Sequence, residues 1–392
     1  MLKEADTLAA AGFGVRVVTV NFDPAKWAVD QALMAGRRWQ YEGVTVSRGL
    51  WLRSALRQKL HLNCGVLRRR SGGPELALNR YLPQLVRLAG EKSADLYIAH
   101  SVQAMPAAEA AARQWRAKAG VDFEDLYSGM KAFKSPPTRS DEVAATVEKK
   151  YIFQWHYLTA ASSGVAAAVA QRYDCPLPVT ILNTFPLAER PPVPPVRKRA
   201  GPLRLYWFSQ TIGSDRGLTD AIRAVGMLPP GSVELHLRGR YAAGMEEFLR
   251  RLLAENKINP QALFVHPPAA PERMITLAAE FDVGLALEEP ISENRVICMN
   301  DLCTNKVFTY LLAGLALAAT SVNDEKEVYD GAGFVYPHGQ PEKLAAGLRH
   351  WLEHPADLRA AQAKAWELGA TRYNWELEKE KLVAAVKNVL NV

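Results

Sequence analysis

Apolar positions in this chain fall in short, nearly unbroken runs, separated by longer stretches in which they recur every three or four residues. The runs Val15–Val20, Val44–Val46, Asp95–Ala99, Val121–Phe123 and Val179–Leu182 predict buried strands. So do Leu203–Phe208, Val233–Leu237, Leu263–His266, Val283–Leu287 and Ala316–Thr320. Helical spacing falls between them, at Ala107–Lys118, Asp220–Met227, Met245–Glu255 and Lys306–Leu312. Strands apolar on both faces need cover on both faces, which is the condition of a parallel sheet sandwiched by helices. The pattern predicts an α/β chain built of two doubly wound, Rossmann-like domains.

Punctuation places the boundaries. Pro186 to Pro202 holds six prolines flanked by charge, which predicts a stiff, extended linker. It separates a domain at 1–185 from one at 203–372, and the helix of 373–392 is expected to pack back on the first. At the beginning, Leu2–Ala11 reads as an amphipathic helix ended by Gly12, with Val15–Val20 as the next strand. A doubly wound domain opens with a strand before that helix, so the first sheet is expected to lack one. The end is helical at Glu342–Leu352, Leu358–Leu368 and Glu376–Leu390.

Composition narrows the class. With 392 residues, 48% hydrophobic and 23% charged, the chain suits a folded globular protein. No apolar run approaches the roughly 18–20 residues of a spanning helix; the best, Leu158–Ala170, is broken by Thr159, Ser162 and Ser163. No basic segment followed by an apolar core opens the chain, so no secretory signal is expected. Cys64, Cys175, Cys298 and Cys303 form no CxxC pair and read as four reduced thiols in the cytoplasm.

The net charge of +7 is concentrated. Residues 37–70 contain nine basic side chains (Arg37, Arg38, Arg48, Arg53, Arg57, Lys59, Arg68, Arg69, Arg70) and one acid, Glu42. Leu50–Leu62 has helical spacing, so a basic amphipathic helix is predicted there. An anionic lipid surface, a nucleic-acid patch and a solvated helix whose Arg stems cover the core all fit this pattern. The lipid surface is the partner expected for residues 37–70, and nucleic acid is not.

Several catalytic signatures are absent: GxxxxGK[ST], HExxH and GxSxG do not occur. Gly12-Phe13-Gly14 precedes its strand and is a helix cap with its turn. Asp122-Phe123-Glu124-Asp125 ends a strand, where acids either hold a divalent cation or accept hydrogen bonds from a hydroxylated ligand; the second use suits a Rossmann crevice better. Ser209–Gly217, with Gly213 and Arg216, follows the first strand of the second half and aims backbone N–H groups, a helix dipole and a cation at a diphosphate. An Asp or Ser N-cap explains the same loop without a ligand. In Asn305–Gly314, Lys306, Thr309 and Tyr310 share one side of a helical turn, with Phe308, Leu311 and Leu312 on the other. Lys at a helix start opposes the dipole, so an anion nearby would offset the cost. His100 ends the Asp95–Ala99 strand, where a histidine serves either the core or a ligand.

Taken in order, Tyr206–Gly213, Arg216-Gly217-Leu218, Asp282-Val283-Gly284-Leu285 and Asn305–Gly314 resemble the donor-binding domain of retaining GT-B glycosyltransferases, the broad family-4 group. Ala94–His100 is similar to that group's strand-plus-His motif, and Asn183-Thr184-Phe185-Pro186 to its interdomain Asn segment. The resemblance implies two Rossmann-like domains facing each other across a cleft. It implies a UDP- or GDP-sugar held by the C-terminal domain, an acceptor held by the N-terminal one, and transfer with retention, without metal or cofactor. Arg216 and Lys306 match the family's diphosphate-neutralising cations, and Ser209, Gly213, Asn305 and Thr309 complete the expected donor site. His100 is placed at the transferred sugar, and Glu124 and Asp125 at the acceptor, which is expected to be a surface polysaccharide or lipid-linked. Asp301 and Thr309 stand where the family's Glu-x7-Glu motif has glutamates. Two rivals stay open: a nucleotide-sugar epimerase or hydrolase, and a degenerate scaffold that binds without catalysis.

Overall fold

The structure, a computed structural model, describes residues 1–21, 23–70, 72–152, 155–195, 201–301, 304–322 and 331–392. The described chain divides into two compact units, one of Met1–Ile181 with Lys379–Val392, the other of Leu182–Glu378.

The first unit carries strands β1 (Arg16–Asn21), β2 (Gln40–Thr45), β3 (Leu96–Ala99), β4 (Lys118–Phe123), β5 (Tyr157–Ala160) and β6 (Val179–Thr180). All its pairings are parallel, but they form two separate sheets, β1-β2 and β3-β4-β5-β6. Among the described residues β1 pairs only with β2, and β3 only with β4. Both strands are mostly half-buried, unlike β4, because each keeps one edge unpaired. The helix Leu2–Ala10 covers β1 through Ala5, Val17 and Trp39, and Trp39 Nε1 donates to Asp6 Oδ1 at 2.8 Å.

The second unit has six parallel strands, β7 (Leu203–Ile212), β8 (Val233–Tyr241), β9 (Leu263–His266), β10 (Val283–Ala286), β11 (Ala316–Ser321) and β12 (Gly333–Pro337). Their order is β12-β11-β10-β7-β8-β9. Its two faces are buried in different clusters. Leu203, Leu205, Trp207, Val283, Leu285, Ala316 and Ala318 enter one; Tyr206, Ala286, Leu317 and Ala319 enter the other. Alternate side chains of a strand point to opposite faces, so the unbroken apolar runs are what two-sided cover demands.

Several sequence readings are amended here. Strands β5 and β12 were not among those predicted. The former is separated from the helix Ser163–Tyr173 by only Ala161 and the cap Ser162, and the latter is short and bounded by Gly333 and Pro337. Of the Pro-rich run, residues 196–200 lie outside the described residues, and Leu187–Pro195 belongs to the second unit. Leu187–Glu189 forms a helical turn, Leu187 N–H donates to Glu376 Oε2 at 3.0 Å, and the Arg190 guanidinium lies 3.4 Å over the Trp366 ring. Aromatic and carboxylate partners therefore pin part of the stretch that its prolines predicted as a stiff, extended linker.

Candidate functional site

Counted along the chain, the second unit's strands have the order 3-2-1-4-5-6, read from β9. The order reverses between β7 and β10, and ligands of open α/β sheets gather beyond the strand ends at such a reversal. The segments leaving these two ends are Gly213–Gly217 and Leu287–Ser292.

Each is shaped locally. Strand β7 continues through an irregularity between Phe208 and Thr211 to Ile212, so Ser209 lies in the strand and not in the loop. Gly217 then turns the chain at φ +70° and stands as the N-cap of the helix Leu218–Gly226; neither Ser214 nor Asp215 caps it. A Cβ at Gly217 would sit 3.1 Å from Leu287 Cβ, in a backbone region that side chains disfavour. Its N–H donates to Glu289 Oε1 at 3.1 Å, which ties the two segments together.

Between them lies Glu288, 4% exposed, its backbone N–H held by Thr320 Oγ1 at 2.8 Å. Lys306 Nζ reaches Glu288 Oε1 at 2.9 Å, and Arg216 Nη1 lies 3.4 Å from Oε2. Arg295, from the helix Glu293–Asn300 capped by Ser292, also pairs with Oε2. Burial opposes ionisation of Glu288, but Lys306, Arg295 and Arg216 outweigh it and hold its carboxyl below the usual range. Three cations thus share the Glu288 carboxylate, with Asp215 4.0 Å from Arg216 as a further acid beside them.

Lys306 comes from the helix Asn305–Ala313, in which every residue after Asn305 is buried. Helical spacing predicts a ligand face and a core face for this helix; the structure buries both. Tyr310 belongs to the core, where it meets Phe208 edge-on at 5.6 Å and donates to Leu285 O at 3.2 Å. Thr309 Oγ1 turns back to Asn305 O at 2.9 Å. No side chain caps this helix, and Thr304 Oγ1 is buried without a hydrogen-bond partner among the described residues.

In the first unit, His100 follows β3 and lies between two carboxylates. Its Nε2 is 3.3 Å from Glu4 Oε2, and its Nδ1 is 3.4 Å from Asp122 Oδ2. Thr159, the neighbour of Asp122 across β5, donates to Asp122 Oδ1 at 2.7 Å. Burial pushes the imidazole down, yet Asp122 and Glu4 leave it above its ordinary value, with Asp122 held correspondingly low. Among the described residues, Glu4, His100 and Asp122 are close enough to share a cation, although a ring that favours its proton is a poor metal ligand. The acids singled out from the sequence, Glu124 and Asp125, come after β4; the carboxylate that meets His100 is Asp122.

Solved structures resemble the whole chain. HepE from Anabaena, solved with UDP and glucose, is 17% identical over 99% of this chain and 95% of its own, with a TM-score of 0.68. Sucrose-phosphate synthase from Thermosynechococcus elongatus is 14% identical over 99% and 92%, with a TM-score of 0.70. The lipopolysaccharide outer core galactosyltransferase WaaB is 12% identical over 96% and 99%, at 0.58. The chain has the GT-B glycosyltransferase fold. No family model and no curated protein matches the sequence.

Within this GT-B fold, three residues of these two clusters were not read as site residues from the sequence, Glu288, Arg295 and Glu4, and Asp122 was read only as part of the acidic strand end Asp122–Asp125. The pair Glu288-Glu289 directly follows the buried strand β10, and charged residues straight after an apolar run at a sheet's carboxyl edge were the available signal. Arg295 and Glu4 carried none, since each reads as a surface residue in the first turn of a helix.

Proposed function

We propose that this protein is a glycosyltransferase that moves a sugar from a UDP- or GDP-sugar to a surface-polysaccharide or lipid-linked acceptor, with retention and without a metal, at the cytoplasmic face of a membrane. The observation that carries the reading is the convergence of Arg216, Lys306 and Arg295 at the switch point of a Rossmann-ordered sheet. Cleaving the bond from the anomeric carbon to a diphosphate builds negative charge on the departing phosphate and oxocarbenium character on the sugar. Cations fixed in advance stabilise the leaving group where that charge develops. Glu288 keeps them aimed, and Gly213, Ser209, Asn305 and Thr309 border the same strand and helix ends. His100, held by Asp122 and Glu4, serves the sugar or the attacking hydroxyl, with Glu124 and Asp125 on the acceptor side.

Calorimetric titration with UDP and with GDP tests this. One nucleotide is expected to bind, and Arg216→Ala and Lys306→Ala each to weaken it by about tenfold or more, the loss of one charge-assisted contact. Silence with both nucleotides, or binding indifferent to both substitutions, would favour the scaffold. Consumption of the donor sugar without any acceptor would favour an epimerase or hydrolase.

A further inference from the structure

The helix Arg48–Asn63 of the first unit is amphipathic in the inverted sense. Its inner side is polar: Ser54 is fully buried, Gln58 Nε2 donates to Ala77 O at 3.0 Å and Leu78 O at 3.3 Å, and Arg57 donates to Arg80 O. Its outer side is apolar. Leu52 is 58% exposed, Leu56 61% and Leu60 50%; Trp51, 47% exposed, lies about 100° round the helix from Leu52, and Val66 on the next short helix is 67% exposed. Leu52, Leu56 and Leu60 fall at i, i+4 and i+8, a single line about 12 Å long.

Cations border that line. At 100° per residue, Arg48 and Lys59 fall on one side of it and Arg53 on the other, and all three are exposed, as are Arg69 and Arg70. No acid occurs between Glu42 and Glu75. Both of those are engaged inward, Glu42 with Arg16 and Lys92, and Glu75 with Lys150 and Tyr151. Arg57 and Arg68 turn to backbone carbonyls, and Arg37 to Leu33 O and Asp6, so these three cations are engaged by the protein and do not border the line.

We propose that this helix lies flat on an anionic bilayer, with Leu52, Leu56 and Leu60 inserted at the headgroup boundary and Arg48, Arg53 and Lys59 on lipid phosphates. Three exposed leucines in a row cost free energy unless something apolar covers them. A second copy of the same face would set cations against cations. A nucleic-acid backbone would use the cations and leave the leucines in water. A charged acyl surface alone satisfies both sets of groups, with long basic side chains reaching up to the phosphates. The proposal deepens, and in that respect rests on, the membrane-face part of the reading above, but not on the transferase chemistry.

Co-sedimentation with vesicles tests it, using phosphatidylcholine alone and with phosphatidylglycerol added, at rising salt. Binding is expected only with the anionic lipid and is expected to weaken with salt. Leu52→Ser/Leu56→Ser/Leu60→Ser and, separately, Arg48→Ala/Arg53→Ala/Lys59→Ala are each expected to weaken it by more than about tenfold. Nucleotide titration of the same variants separates the two readings: vesicle binding lost with UDP or GDP binding kept supports the proposal even if no sugar is ever transferred. Absence of anionic-vesicle binding at low salt overturns it. So does binding that ignores the leucines, a dimer dissolved by the leucine substitutions, or displacement from vesicles by single-stranded DNA.

Discussion

At the residue scale, Glu288 decides the most. A buried carboxylate with three cationic partners is expensive to break and cheap to keep, since removing one member leaves the others charged and unpaired. Glu288→Gln is expected to destabilise the protein by roughly 3 kcal/mol, read as a lower thermal midpoint. The direction with ligand distinguishes structure from function. If the cations receive a diphosphate, UDP or GDP should raise the midpoint of the Gln variant more than that of the wild type, because the anion supplies the missing charge. Acid gives a second readout. The Glu288 carboxyl ionises more easily folded than unfolded, so its contribution is complete above its ordinary value of 4.5 and is lost as pH falls below that value. Over that acid range the wild type should lose stability more steeply than the Gln variant. Arg216 and Lys306 were legible in the sequence because each sits at a fixed offset from a strand end or helix start. Glu288 was not, since only folding brings positions 216, 288, 295 and 306 to one point.

At the element scale, the helix Asn305–Ala313 is positioned by an absence. Strand β10 carries Gly284 where the Tyr310 ring crosses it; a Cβ there would lie 2.3 Å from Tyr310 Cγ. Tyr310 is wedged between Gly284 and the rings of Tyr206 and Phe208, so it cannot step aside. Gly284→Ala should therefore push the helix outward and carry Lys306 with it. The expected result is a loss of about 1–3 kcal/mol from overpacking, together with weaker nucleotide binding than an equally destabilised variant elsewhere. Thermal denaturation and calorimetry on the same protein check both. The helix Met245–Glu255 and strand β9 have the bounds that periodicity predicts, because Gly244 and the turn at Asn259 delimit them sharply. The pattern failed where a strand is followed closely by a helix, as at Tyr157–Tyr173: alanines suit either element, and only Ala161 and the Ser162 cap separate them.

At the scale of the whole molecule, the two units differ in how completely their sheets are closed over. Strands β10 and β11 are buried throughout and β7 is buried over most of its first half, whereas β1 and β3 are mostly half-buried and each leaves an edge unpaired among the described residues. Amide protection follows burial and pairing, since an amide exchanges once its segment opens. Native-state hydrogen exchange should therefore show β1 and β3 exchanging well before β7, β10 and β11. Nucleotide adds a second condition: a ligand that binds the folded second unit stabilises that unit by mass action, so UDP or GDP should slow exchange in β7 and β10 and leave β1 and β2 unchanged. Equal protection of all these strands without ligand would mean that the chain opens as a single cooperative block. Slowing confined to β1 and β3 would move the nucleotide site to the first unit and remove Arg216 and Lys306 from its chemistry.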